Sequence, residues 1–179
     1  AVRGSGTDTV AVKKGWPTFT ADASRAFWQV PQNERCVVRP PPHWLEKHVA
    51  NGGNADDLWL LKRWLYGQRR APRAYTDWHA KCLTSLGVMQ DAACPVVFVH
   101  PENRTVMEVH ADDSYGTGPP EALREFKKPY MEMVKCKTFA IHGLGATYEH
   151  LRRKRVRTPA GMWLIPNMGH LDNAQRQLG

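Results

Sequence analysis

Three carboxylates carry the chemistry this sequence could do. Asp112 and Asp113 are adjacent within Val106 to Gly116, VMEVHADDSYG, and Asp22 follows the β-prone run Pro17 to Ala21, PTFTA. Carboxylate oxygens suit hard divalent cations and proton transfer. The apolar-leaning lead (Val106, Met107, Val109), the acid pair and then Ser114, Tyr115 and Gly116 predict a strand, a tight turn and a returning strand, with the acids at the tip. Neighbouring side chains in such geometry point apart, so Asp112 and Asp113 cannot grip one ion from the same side. A site here needs at least one more carboxylate from elsewhere. A second acidic pair, Asp56-Asp57, lies beside the loop residues Asn51 to Asn54 and is the plain case of such a dipeptide without a role.

The elements that would position these acids must come from a chain of 179 residues, enough for one domain with a real core. With 42% hydrophobic and 23% charged residues, the composition excludes intrinsic disorder. Lys and Arg number 25 against 17 Asp and Glu, a net charge of +8. That excess favours a polyanionic partner, nucleic acid before membrane, because no basic amphipathic helix or apolar span of bilayer length is visible. The four cysteines, Cys36, Cys82, Cys94 and Cys136, stand far apart without Cys-x-x-Cys spacing, which argues against structural zinc and fits a reducing compartment rather than secretion. The chain opens without Met and without a targeting pattern, as a fragment would.

Taken in order, residues 1–15 are expected to be a loose Gly- and Thr-rich lead-in. Asp22 should end a first strand, and Cys36 to Arg39 reads as a second, stopped by Pro40-Pro41-Pro42. Asp57 to Trp64, DLWLLKRW, reads as a further strand or buried edge. The clearest helix lies within residues 65–87, with Pro72 in its first turn and Gly87 at its stop. Tyr75, Trp78, Cys82 and Leu86, with Leu83, form its core-facing stripe, and Arg69, Arg70 and Arg73 cluster at its entrance, where helix N–H groups favour anions. Pro95 to His100 and Thr105 to His110 read as strands joined by a turn, Glu121 to Lys128 as a helix, and Thr138 to Ile141 as a strand. Five of the six residues from Arg152 to Arg157 are basic, which fits phosphate contacts or a solvated face. The order predicts an α+β fold with helices on one face of an antiparallel sheet.

Four stretches in this order resemble the reverse transcriptase of Ty1/copia-type retrotransposons. ADASRAF (21–27) is similar to the first catalytic motif, an Asp followed five residues later by an aromatic. ERCVVRPPPHW (34–44) resembles E-x-V-x-M-x-Q-P-P-G-F, LLKRWLYGQRRAPRAY (60–75) resembles L-K-K-S-L-Y-G-L-K-Q-A-P-R-A-W, and VHADD (109–113) resembles Y-V-D-D. The C-terminal GMWLIPNMGHLDNAQRQLG is similar to the segment leading into the family's thumb, so the resemblance covers residues 15 to 179.

The resemblance implies a palm-like reverse transcriptase domain over residues 16–150, after the lead-in of 1–15, and a basic strand with the start of a thumb-like segment over 151–179. It implies RNA-directed DNA polymerase chemistry, transferring nucleotides to a primer 3′-hydroxyl with two Mg²⁺ ions (Mn²⁺ as a substitute) about 3.5–4 Å apart. Asp22 and Asp112 would bridge the metals and Asp113 would support one. Phe27 would lie beneath the incoming sugar, Gly67 and Pro72 would shape the floor under template and nucleotide, and Arg69, Arg70 and Arg73 would meet phosphates, as would Arg152, Arg153, Lys154 and Arg155. The implied partners are an RNA template, a DNA primer, deoxynucleoside triphosphates and the rest of a polyprotein (fingers, thumb, RNase H), in a cytoplasmic virus-like particle or the nucleus. His110 and Ala111 stand where the family has Tyr and Val, and Ser114-Tyr115 replace apolar residues, so weaker packing of the hairpin is expected. The alternative is a non-catalytic remnant serving as a basic RNA-binding or assembly module.

Overall fold

A computed structural model describes residues 5–165, 169 and 175–177. Strands β1 (Thr18–Ala23), β4 (Met89–Gln90), β5 (Val97–Val99), β6 (Val106–His110), β7 (Asp113–Thr117) and β8 (Cys136–His142) form one six-stranded sheet in the order β4-β5-β6-β7-β1-β8. Every pairing in it is antiparallel. Strands β9 (Thr147–His150), β10 (Arg153–Thr158) and β11 (Gly161–Ile165) form a second antiparallel sheet, and β2 (Val37–Val38) pairs with β3 (Trp59–Leu60). The helices are α1 (Gly6–Lys14), α2 (Ala26–Gln29), α3 (Pro42–Ala50), α4 (Ala71–Ser85) and α5 (Pro120–Met133). The fold is α+β, as the order of elements predicts. Among the described residues no helix is long and apolar enough to cross a membrane.

The residues fall into two compact units, one drawn from Ala1–Ser24 and His79–Gly179 and the other from Arg25–Trp78. The first unit is therefore discontinuous in sequence. Its core lies on one face of the large sheet, where Phe19, Met107 and Phe139 are buried beneath Leu123, Phe126 and Tyr130 of α5. Phe19 stacks on Phe139 at 4.9 Å between ring centroids. Period-two alternation sends the residues between these to the opposite face, and the register aligns Thr18, Thr20 and Asp22 of β1 with Thr117, Tyr115 and Asp113 of β7.

That opposite face is not bare. The expected loose lead-in is instead α1, which Ser5 and Asp8 close with a reciprocal capping box. Asp8 is 3% exposed, and its carboxylate receives the Tyr115 hydroxyl at 2.5 Å, the Ser5 N–H at 3.1 Å and Arg155 Nε at 3.4 Å. The Thr7 N–H and hydroxyl donate to Glu108 of β6 at 3.1 and 2.7 Å. So helices occupy both faces, α5 one and α1 the other, because polar contacts rather than an apolar stripe bind α1 to the sheet. The Thr18 hydroxyl meets that of Tyr148 at 2.7 Å, which ties β9 to β1 on the same face.

Several elements differ from expectation in extent. Within 57–64 only Trp59–Leu60 pairs as strand, and the stretch after Pro40 forms α3, which Pro42 starts at a position where its missing N–H is harmless. Helix α4 matches its predicted stripe, with Tyr75, Cys82 and Leu83 buried, and Gly87 beyond its end takes a φ of 81°. The segment expected to begin a thumb lies partly outside the described residues.

Two outcomes test these contacts. Asp8→Asn leaves Arg155 buried without its counter-charge and should destabilise the protein by about 3 kcal/mol, read from urea unfolding. At Gly116 an added Cβ would meet the buried Phe19 ring at 2.3 Å and the Val106 carbonyl oxygen at 2.8 Å. Gly116→Ala should therefore lower stability by about 1–3 kcal/mol in the same assay, whereas Gly143→Ala, with open space around it, should not.

A candidate carboxylate site at one end of the sheet

Strands β6 and β7 form the predicted hairpin, with His110 paired to Asp113 and only Ala111 and Asp112 between them. Ala111 takes a left-handed φ of 53°, a strain of about 1 kcal/mol for a residue with a Cβ. Strand β1 runs beside β7 and sets Asp22 directly opposite Asp113. The Ala23 N–H extends this pairing to the turn by donating to the Asp112 carbonyl at 2.9 Å. Three carboxylates from two distant stretches thus share one end of the sheet, Asp22 and Asp113 on the face opposite α5 and Asp112 in the adjoining turn. Asp22 and Asp113 are half-buried and Asp112 is exposed.

Their proximity is electrostatic. Partial burial raises the Asp113 carboxyl above the ordinary carboxylate range, and the negative charges of Asp112 and Asp22 raise it further, while His110 opposes them. Cys136, across from Ala23 on β8, is pushed up to about 11 by burial and then by the charge of Asp22. Its place beside Asp22 is not signalled in the sequence, because nothing there encodes the register of β8 against β1. Among the described residues no group of three His, Cys, Asp or Glu side chains is arranged to hold a metal ion. The donor chemistry nonetheless suits Mg²⁺, a hard ion that commonly takes one or two carboxylates and completes its octahedron with water and phosphate oxygens.

The hairpin beneath the acids is well packed, contrary to expectation. Ser114 and Tyr115 are wholly buried. The Ser114 hydroxyl lies 3.1 Å from that of Tyr130, which in turn lies 3.1 Å from His79 Nε2. Burial pushes His79 down to about 4, so this histidine is neutral at neutral pH. The polar replacements are accommodated because each finds a partner.

A cleft of about 550 Å³ beside Asp113 is lined by Glu149, Leu151 and Arg152 of the β9–β10 hairpin. The turn of that hairpin puts Leu151 and Arg152 both in left-handed conformations, φ 50° and 57°, as a two-residue type I′ turn requires. Arg152, Arg153 and Lys154 are exposed. Arg155 is not available for phosphate as expected: it is 5% exposed, bonds Asp8 and the His150 carbonyl, and lies 4.6 Å from the Tyr115 ring centroid. Strand alternation turns it inward, as it does Arg157, which donates to the Ala11 carbonyl of α1 at 3.0 Å.

The other predicted site residues belong to the unit Arg25–Trp78. Phe27 packs on Tyr66 at 4.5 Å and on Tyr75 at 6.2 Å. Gly67 is exposed with φ 92°, and Pro72 sits in the first turn of α4. Arg70 pairs with Glu34 and Arg73 with Asp77, while Arg69 is exposed.

No protein-family model matches the chain. Over 111 residues, 61% of its length, it is 28% identical to the "Retrovirus-related Pol polyprotein from transposon RE2" of Arabidopsis thaliana. It matches the corresponding polyprotein from transposon RE1 of the same plant to the same extent. The aligned segment makes up 7% of each relative, so the chain spans a small part of the curated proteins it matches. This similarity supports an origin in a retrotransposon Pol polyprotein.

The electrostatics predict a pH signature. A carboxyl whose folded pKa is raised favours the folded state below its unfolded pKa of 3.8 and loses that contribution as pH rises through the folded value. Asp113→Asn should therefore raise the melting temperature at pH 7, and the gain should shrink as pH falls through 4. A gain independent of pH would count against crowded charges as its cause.

Proposed function

We propose that the chain is the palm-like part of an RNA-directed DNA polymerase of a retrotransposon polyprotein. One observation carries the reading: Asp22 stands opposite Asp113 across β1 and β7, with Asp112 in the adjoining turn. Mutual repulsion of this kind is relieved by bound cations. In this reading Asp22, Asp112 and Asp113 are the residues that would hold two Mg²⁺ ions. When bound, such ions supply activation of a primer 3′-hydroxyl and neutralisation of triphosphate charge. The exposed Arg152, Arg153 and Lys154 would hold backbone phosphates of primer and template, contacts that position a duplex without reading its sequence. Phe27, Gly67, Pro72, Arg69, Arg70 and Arg73 enter by resemblance, for the sugar, the floor of the nucleotide site and phosphates. The partners are an RNA template, a DNA primer, deoxynucleoside triphosphates and the other domains of the polyprotein, in a cytoplasmic virus-like particle.

A second reading, a non-catalytic basic module, is favoured by one observation: among the described residues the acids are not grouped as a metal site. Primer extension separates the two. By its resemblance the chain is an incomplete polymerase, so with an RNA template, a DNA primer and Mg²⁺ it should extend the primer once joined to the family's fingers. In that protein Asp112→Asn/Asp113→Asn should lower the rate by roughly a hundredfold or more, since metal charge stabilisation is worth several kcal/mol. Salt-dependent binding of primer–template with no extension would favour the second reading.

A further inference from the structure

We propose that Trp28 and the cations around it form a stacking platform for single-stranded nucleic acid. The platform lies wholly within the unit Arg25–Trp78. Trp28, on the short helix α2, is 48% exposed, an unusual state for the largest apolar ring. Its exposure is not for lack of ordering, because Arg25 holds its guanidinium 5.3 Å from the ring centroid. Arg25 does so from a left-handed backbone, φ 49°.

More positive charge is fixed alongside. Arg63 donates to the carbonyl of Gln29, the residue after Trp28, at 2.8 Å. Residues 30–32 are laced to 62–64, through the Gln32 N–H to the Lys62 carbonyl at 3.0 Å and the Trp64 N–H to the Val30 carbonyl at 3.2 Å. Arg25, Lys62 and Arg63 are all exposed, and the ion pairs of this unit lie elsewhere, at Glu34–Arg70, Asp77–Arg73 and His48–Asp57. The unit carries nine Lys and Arg against five Asp and Glu.

An exposed aromatic face among cations matches the way single strands are bound. Any unpaired base can stack on the ring, and the guanidinium groups meet the phosphates that flank it. A duplex keeps its bases stacked on one another and offers the ring no face. The inference stands apart from the polymerase reading, since it asks nothing of the carboxylates.

The test is fluorescence anisotropy of a labelled 12-nucleotide oligouridylate binding to the whole chain. Trp28→Ala should weaken binding about tenfold, while Trp28→Phe should stay within threefold of wild type because a ring face remains. Arg25→Gln should reduce the slope of log affinity against log salt by about 0.7, one phosphate's worth on a single strand. Trp163→Ala, at an exposed ring in the other unit, should leave binding unchanged. Circular dichroism confirms that each variant is folded. The proposal is overturned if Trp28→Ala binds like wild type, if Trp28→Phe loses as much as Trp28→Ala, or if Trp28→Ala weakens binding of a blunt RNA hairpin duplex as much as that of the oligouridylate.

Discussion

The buried carboxylate of Asp8 is the point on which the larger unit turns. An isolated carboxylate in such surroundings would be very unfavourable, and only complete pairing makes it tolerable. Here one oxygen takes the Tyr115 hydroxyl and Arg155, and the other takes the Ser5 N–H. Those partners come from the capped end of α1, from the strand that carries Asp113, and from the second sheet. The cluster extends further, from Tyr115 to Tyr148 at 3.0 Å and from Tyr148 to Thr18. Burial and the Arg155 charge push the neighbouring His150 down to about 4, so no second positive charge competes for Asp8 at neutral pH. An apolar cluster of the same volume would bind as well, but it would not specify which strand meets which.

This polar layer has a consequence for the acids at the sheet end. Tyr115 lies two residues from Asp113 on β7 and faces the same way, so the bonds that fix Tyr115 also fix the height and register of the hairpin. From the other face, Ser114 is held through Tyr130. The acids therefore project from a strand anchored on both sides, which keeps like charges close despite their repulsion. A loop alone would relax and separate them.

Local signals made part of this legible in the sequence. The β6–β7 hairpin follows from an apolar lead, an acid turn and a returning run, and α4 follows from Pro72, a periodic stripe and Gly87. Both are written within about twenty residues. Helix α1 carried a signal that went unused, since Ser5 and Asp8 have capping-box spacing but lie in a Gly- and Thr-rich stretch with a single buried apolar residue, Ala11. Its stability comes from contacts with residues 101 and 147 positions away. The inward turn of Arg155 and Arg157 was hidden for the same reason: a run of basic residues reads as solvated, and only strand alternation, with the buried Asp8 and the Ala11 carbonyl opposite, brings these two inside. Asp22 was legible as a candidate, but its position across from Asp113 depends on a register that no local pattern encodes.

The discontinuous make-up of the larger unit bears on how the chain is made. Asp8 leaves the ribosome 147 residues before Arg155. At about 5–20 residues per second the interval is roughly 7–30 s. Until β7 and then β8 follow within that time, β1 lacks its neighbours in the sheet, and Phe19 and Ala21 have no face to cover them. The intervening segment 25–78, a compact unit, is synthesised between β1 and its partners. Between the synthesis of β1 and that of β7 the nascent chain thus carries an unpaired β-strand with apolar residues uncovered, the kind of segment that chaperones for extended apolar stretches recognise.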